Sequence, residues 1–190
     1  MSLASSRDLI LLRSFRRSFV AASAASSASS APSAPPALLE PGSAPIVTEA
    51  YHLPARAVCH VTGPQIVDPA RFRVGPPTAT ERAQLEDVYR GVLEACRRRG
   101  FRSVAFCCVS TGLFGYPARD AAATALATVR DWLLRAAAQE GELEEEEEEE
   151  GHNGNGNGKY NPLELVVFDV FTDEDEACYT ELAPTIITPV

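Results

Sequence analysis

The fold of this chain is decided by the stretch from Val104 to Pro117, which reads VAFCCVSTGLFGYP. Its first part, residues 104–109, is apolar or thiol-bearing throughout, with no polar alternation. Such a short run predicts a strand that is buried on both faces, as in a parallel sheet covered by helices. A loop with two glycines follows, and Pro117 then opens an alanine-rich amphipathic stretch, because proline is tolerated in the first turn of a helix. The sequence therefore predicts a strand, a glycine loop and a helix in succession.

This succession is typical of a phosphate-binding site. Backbone N–H groups converge where the loop meets the helix N-terminus, and the helix dipole favours negative charge there. Glycine lets the backbone approach a ligand because no Cβ stands in the way. Two glycines at positions 112 and 115 also suit an ordinary tight turn between a strand and a helix. The loop by itself leaves both interpretations open.

The whole string closely resembles the ribose- and diphosphate-binding loop of the macrodomain family, whose version reads roughly IAFPxISTGxFGYP. Residues 51–64, YHLPARAVCHVTGP, resemble the family's YxLPAxxVIHTVGP strand. Residues 165–171, LVVFDVF, resemble its last core strand, and residues 173–179 resemble the short acidic helix behind it. The doubled cysteine at 107–108 looks most like a microbial and fungal branch that includes zinc-containing protein–ADP-ribose hydrolases.

The resemblance implies a three-layer α/β/α fold with a mainly parallel sheet. It implies ADP-ribose, or an ADP-ribosylated protein, as the partner, and a lineage that hydrolyses protein-linked ADP-ribose. In that family the ligand lies across the carboxyl ends of the strands. Carried over to this sequence, the ligand-binding residues are Ser110, Thr111, Gly112, Leu113, Phe114, Gly115, Tyr116 and Phe171. Phe171 matches the aromatic position that packs against adenine, although core filling explains it equally well. For Asp173, a role in capping the following helix is favoured over a contact with a ribose hydroxyl.

The family's front half has no counterpart between Met1 and Ala44. Related proteins carry there an aspartate that reads adenine, an Asn-Ala-Ala-Asn segment and a glycine-rich loop. In the zinc-containing branch the same region holds the Cys and His metal ligands and the catalytic acid. The chain has no asparagine before Asn153. The sequence therefore predicts the carboxyl-terminal part of a macrodomain, with no catalytic residue, no metal ligand and no cofactor.

A second place to look for metal ligands is the strand that carries Cys59 and His60. Strand alternation sends these neighbours to opposite faces, so a shared metal is not expected. The sequence predicts no zinc site from them or from His52.

The composition excludes several classes of protein. The formal charge is −9, and most of it comes from the acidic block of Glu142 and Glu144–Glu150. The remainder is close to neutral, so charge gives no reason to expect nucleic acid or a membrane as a partner. Five cysteines without regular spacing argue against a secreted disulfide scaffold and favour reduced thiols in an intracellular protein. No apolar run approaches the ~20 residues that span a bilayer.

The composition also predicts the domain boundaries. Residues 1–45 read as a disordered Ser/Ala/Pro-rich leader, residues 46–184 as a partial macrodomain, and residues 185–190 as a tail. Residues 140–159, with a glutamate run and Asn-Gly repeats, read as a disordered insertion. The arginines and serines of the leader are typical of a mitochondrial transit peptide. The alternatives are a disordered tail and sequence translated from outside the gene, which leave the protein cytoplasmic or nuclear.

Three helices are expected within the domain. The first begins after a capping box of Thr78 and Glu81 and ends at Gly100. The last has Thr172 as its N-cap, with acidic residues in its first turn. The residues predicted to be buried on the first two helices are Leu85, Val88, Tyr89, Val92 and Cys96, and then Ala122, Leu126, Val129, Trp132 and Leu133.

Two functions remain in competition. One is an ADP-ribose binder of the hydrolase lineage. The other is a truncated or vestigial macrodomain that acts as a non-catalytic interaction protein. A dinucleotide-binding dehydrogenase is disfavoured because no GxGxxG follows the first predicted strand.

Overall fold

The structure, a computed structural model, describes residues 10–14, 40–66, 75–149 and 163–187, with side chains at 40–66, 75–139 and 163–187. Strands and helices alternate along most of these residues. They are β1 (Ile10–Ser14), β2 (Ile46–Glu49), β3 (Ala57–His60), α1 (Ala79–Arg99), β4 (Ser103–Cys107), α2 (Ala118–Glu149), β5 (Leu165–Val170) and α3 (Asp173–Ile186). No helix in the described residues is long and apolar enough to cross a membrane.

The strands form two separate sheets. A three-stranded parallel sheet has the order β1-β5-β4, and Phe106 of β4 is level with Phe168 of β5. These three strands agree with the predicted mainly parallel sheet. Strand β3 is different, because it pairs antiparallel with β2 in a sheet of its own. The short connection from β2 to β3 permits only the antiparallel arrangement, since a parallel crossover needs a dozen or more residues.

One hydrophobic core lies between the parallel sheet and the three helices. At its centre is a row of four rings, Tyr89, Phe106, Phe168 and Tyr179, with successive centroids 5.0, 6.1 and 5.1 Å apart. The rings come from α1, β4, β5 and α3 in turn, so the row links two of the helices to the parallel sheet. Offset and edge-to-face ring pairs of this spacing stabilise a core beyond the area they bury.

The prediction that residues 104–109 are buried on both faces is wrong. Val104 and Phe106 of β4 face the core, whereas Ala105 and Cys107 point the other way and are exposed. On β5, Asp169 is likewise exposed on that second face. The helices of the described residues therefore leave these positions on the second face of the sheet uncovered. The run was misleading because alanine and cysteine are small enough to be tolerated on an open face.

The helix ends agree with the sequence. Thr78 and Glu81 form the predicted capping box of α1, and Gly100 closes it in the left-handed conformation, with φ 65°. Thr172 forms a second capping box with Asp175 at the start of α3. The residues expected to be buried on α1 are buried. On α2, Ala122, Leu126, Val129 and Trp132 are buried and Leu133 packs against them.

Two segments differ from the predicted boundaries. Residues 10–14, placed by the sequence in a disordered leader, form a strand parallel to β5. Their apolar side chains suit a sheet edge, which composition over the whole leader conceals. Helix α2 runs to Glu149, so residues 140–149 are helical although they were assigned to a disordered insertion. Glutamate is a good helix former, and extending a helix that has already formed needs no new nucleation. Repulsion among the glutamates therefore does not end α2 before residue 149. Residues 1–9 and 15–39 of the leader, residues 150–162 and residues 188–190 of the tail lie outside the described residues, whereas residues 40–45 are described, with Gly42 N donating to Thr62 O at 3.1 Å.

Candidate functional site

The predicted glycine loop connects the end of β4 to the start of α2. Two hydrogen bonds inside it shape the turn, from Gly115 N to Gly112 O at 2.9 Å and from Tyr116 N to Ser110 O at 2.9 Å. A third, from Ile66 N to Phe114 O at 2.8 Å, holds the loop against the segment that follows β3. Gly115 has φ 64°, a left-handed conformation that glycine adopts without steric cost. The loop is therefore fixed at both of its sides.

Four consecutive N–H groups of the loop, those of residues 111–114, donate no hydrogen bond within the described part of the chain. They precede the N-terminus of α2, where the helix dipole adds a partial positive charge. The N–H groups of Gly115 and Tyr116, also predicted to face the ligand, are used inside the loop. These two predicted donors therefore stabilise the turn of the loop.

A cavity of about 250 Å³ opens beside the loop, between the carboxyl ends of β3 and β4. It is lined by Val61, Thr62, Gly63, Cys107, Cys108, Val109, Ser110 and Phe114. Only Ser110 and Phe114 of this set were predicted as site residues. The wall formed by residues 61–63 was missed as part of the site, although the Gly63-Pro64 pair at the end of a strand was a signal for it.

Ser110 is the unusual residue of the cavity. Its backbone has φ 67°, a left-handed conformation that costs energy for any residue with a Cβ. Its buried Oγ has no hydrogen-bond partner among the described residues. The hydroxyl sits directly against Gly63, where an added Cβ would lie 2.1 Å from Ser110 Oγ and 2.7 Å from Val109 Cγ1. Glycine at 63 therefore makes room for the serine.

The cavity is electrically neutral. None of its eight lining residues is an acid, a cation or a histidine. Burial, with Asp175 nearby, raises the pKa of the Cys108 thiol to about 12, so this sulfur is protonated at neutral pH. It is close to the carbonyl oxygen of Asp169, at 3.9 Å. The site as described can bind through backbone dipoles and hydroxyl groups, and it supplies no general base.

The remaining predicted residues lie around the loop. Leu113 is 97% exposed and Gly112 is also exposed, while Tyr116 is buried. Phe171, directly after β5, is 83% exposed, so the alternative of core filling is wrong for it. Asp173 is an exposed residue in the first turn of α3, as expected of a residue at a helix start.

The two residues proposed to face apart on β3 do so. His60 is exposed and its Nε2 lies 2.9 Å from Thr48 Oγ1 on β2. Cys59 is half-buried and packs against the core. Among the side chains that the structure describes, no three His, Cys, Asp or Glu residues are grouped as metal ligands would be.

The chain is similar to known proteins in both sequence and structure. A family model described as Macro domain matches residues 16–125, beginning upstream of the boundary predicted at residue 46. The ADP-ribose glycohydrolase MACROD1 of Rattus norvegicus is 46% identical over 94 residues, which are 50% of this chain and 33% of that protein. A protein-ADP-ribose hydrolase of Treponema medium is 33% identical over 143 residues, covering 75% of this chain and 43% of that protein.

A solved structure shares the same architecture. The Oceanobacillus iheyensis macrodomain with ADP is 26% identical, with a TM-score of 0.56, and the match covers 78% of this chain and 60% of that one. The chain thus spans a third to less than half of the two curated relatives and about three-fifths of the solved structure.

Proposed function

We propose that this chain, which belongs to the Macro domain family, binds ADP-ribose, free or attached to protein, at the loop of residues 110–116. Its fold is the α/β fold of that family. The single observation that carries the proposal is the set of four consecutive N–H groups, residues 111–114, that donate no hydrogen bond within the described residues and belong to the loop leading into α2. Such a group of donors suits the two negative charges of a diphosphate.

The neutral cavity beside the loop supports the same ligand. Its apolar walls and hydroxyl groups suit a sugar, which offers hydroxyls and carbon faces but no charge. The Ser110 hydroxyl, which lacks a partner in the described residues, is available to a ribose oxygen or a phosphate oxygen. A ligand placed with its diphosphate on the loop can reach the cavity with one ribose.

The other end of the ligand is assigned to Phe171. Its exposed ring follows β5, the strand beside β4, so it lies at the same edge of the sheet as the loop. Stacking on an aromatic ring is worth about 1–3 kcal/mol per base. An adenine stacked on Phe171 would cover a ring that the core leaves exposed.

Binding and hydrolysis are separate proposals. The relatives named above are ADP-ribose hydrolases, and a hydrolase lineage is proposed for this chain on that ground. The described cavity supports only binding, because hydrolysis needs a positioned acid, base or metal-activated water. A non-catalytic ADP-ribose reader is therefore the second candidate, and membership of the zinc-containing branch stays a prediction.

The replacement Gly112→Glu tests the binding site. An added Cβ at Gly112 meets nothing within 4 Å, so the variant is expected to fold as the parent does. A carboxylate about 5 Å from a diphosphate charge costs about 1–3 kcal/mol at effective dielectric constants between 80 and 20. Titration calorimetry with ADP-ribose should show affinity at least about fivefold lower.

The matched control is Gly75→Glu. Gly75 also has nothing within 4 Å of an added Cβ, and it is not part of the cavity lining. The same charge there should leave the affinity unchanged. Equal affinities for parent and Gly112→Glu, with both folded by circular dichroism, would mean that the loop is only a turn. Loss of binding in both variants would point to net charge and not to the loop.

A further inference from the structure

Strands β3 and β4 lie near each other without being paired. Just before each strand begins, the Arg56 guanidinium stands over the Phe101 ring, 5.7 Å from its centroid. Just after each strand ends, residues 61–63 and 107–109 line the same cavity. The two strands therefore run in the same direction, yet they belong to different sheets, and no ladder of hydrogen bonds joins them in the described residues. We call the space between β3 and β4 the slot.

Strand β3 lies beside β4 and not on top of it. It does not cover the second face of β4, because Ala105 and Cys107 are exposed there. On the other face, Cys59 of β3 and Val61 directly after it pack against the same core that contains Phe106. Both strands thus have one side on the core, so the slot separates two edges of one layer.

The edge of β4 that is turned away from β5 offers free backbone groups. Leu165 N donates to Arg102 O at 3.1 Å, directly before β4. Because backbone groups alternate sides along a strand, Val104 and Phe106 also turn theirs to β5, and those of Ala105 point away from it. Strand β3 likewise has only β2 as a strand partner among the described residues. The slot is therefore bounded by two strand edges that each lack a partner strand there.

We propose that the slot binds an extended segment of another polypeptide, which adds as a strand between β3 and β4 and joins the two sheets. An inserted strand stands ~4.8 Å from each neighbour and pairs its N–H and C=O groups with both edges at once. Only an extended chain presents backbone groups on two opposite sides in this way. The solved macrodomain named above has two-fifths of its chain outside the match, so its fold holds more polypeptide than the part that this chain shares with it.

The side chains beside the slot define the chemistry of the partner. The core side is apolar, with Val104 and Phe106 on one strand and Cys59 on the other. The open side has the small residues Ala105 and Cys107 on β4. A partner strand that fits both sides alternates apolar residues with small polar ones, because a charge on the core side would be buried without a partner. Binding of such a strand does not depend on the binding of ADP-ribose.

The test uses the full chain and the peptide acetyl-Lys-Thr-Val-Thr-Val-Thr-Val-Lys-amide. Lysine at both ends opposes pairing of the peptide with itself. Titration calorimetry should show a Kd below about 1 mM. Two matched control peptides carry N-methyl groups on all three threonines or on all three valines, so each lacks the N–H donors of one edge. Each control should bind at least about tenfold more weakly, because an inserted strand uses both of its edges.

These controls separate insertion from simple addition to an outer strand. A peptide that pairs with one edge only can turn its methylated edge to solvent. At least one control would then bind as tightly as the unmethylated peptide, and the proposal would be wrong. Absence of binding by the unmethylated peptide would also overturn it, since water would then satisfy the two edges.

Hydrogen exchange and one pair of variants locate the peptide. The N–H of Ala105 should exchange freely in the free chain and at least about tenfold more slowly with the peptide bound. Ala105→Pro removes this N–H but no bond to β5, and it should abolish peptide binding, whereas the matched Ala105→Ser should bind as the parent does. Slow exchange at Ala105 in the free chain would contradict the proposal, because the chain itself would then fill the slot. The peptide comparison uses the parent chain, so a failure of Ala105→Pro to fold does not affect it.

Discussion

Replacing Ser110 with glycine should stabilise the protein and weaken its binding of ADP-ribose. Ser110 has φ 67° and a buried Oγ without a partner in the described residues. The left-handed backbone costs a residue with a Cβ about 1 kcal/mol, and an unsatisfied buried hydroxyl costs about 1–3 kcal/mol. Glycine relieves both costs but adds about 0.5–1 kcal/mol of chain entropy in the unfolded state. The expected net gain is about 1–3.5 kcal/mol.

Two further variants separate these contributions. Ser110→Ala removes the hydroxyl and keeps the backbone cost, so its stability should lie between those of serine and glycine. Tyr51→Gly is the matched backbone control, because Tyr51 also has a left-handed φ of 51° and is 86% exposed. It should gain about 1 kcal/mol or less and bind ADP-ribose as the parent does.

The measurements are urea unfolding and titration calorimetry with ADP-ribose. Loss of a ligand hydrogen bond at Ser110 corresponds to about a threefold to tenfold weaker affinity. A Ser110→Gly variant less stable than the parent would refute the reasoning about strain and burial. A more stable variant with unchanged affinity would show that Ser110 serves no ligand, so its cost would have no functional explanation.

Three other outcomes are expected. Gly63→Ala should cost about 1–3 kcal/mol by urea unfolding, because its Cβ would lie 2.1 Å from Ser110 Oγ, and adding Ser110→Gly should restore part of the loss. Phe171→Ala should change stability by less than about 0.5 kcal/mol, since the ring is 83% exposed, yet weaken ADP-ribose binding measurably in calorimetry. The chain as written should release little or no ADP-ribose from a modified protein, with or without zinc; turnover that survives a chelator would contradict the neutral chemistry of the cavity.

The local features of the fold were readable from the sequence. The capping boxes at Thr78 and Thr172, the glycine end of α1 and the buried faces of α1 and α2 depend on residues within a few positions of each other. Local hydrogen bonding and helical periodicity determine them, so a single sequence suffices. The loop of residues 110–116 was found in the same way, since its composition and its position between a strand and a helix are both local.

The predictions that were wrong concern which segments cover a strand or pair with it in the sheet. The run at 104–109 was expected to be covered on both sides, but whether a second layer covers a strand is not encoded in that strand. Likewise, β3 pairs with β2 and β1 pairs with β5, and the residues of one strand do not determine which other strand it pairs with.

By itself the sequence determined that a strand, a tight glycine loop and a helix follow one another from residue 104 onward, because those choices are made by neighbouring residues, whereas the end of the helix at Glu149 was not predicted. Only the tertiary structure brought residues 61–63 against the loop to form a cavity and left Cys107 and Phe171 exposed. These contacts join residues far apart in the chain. Their free energy comes from shared burial, which is a property of the assembled core and not of any single segment.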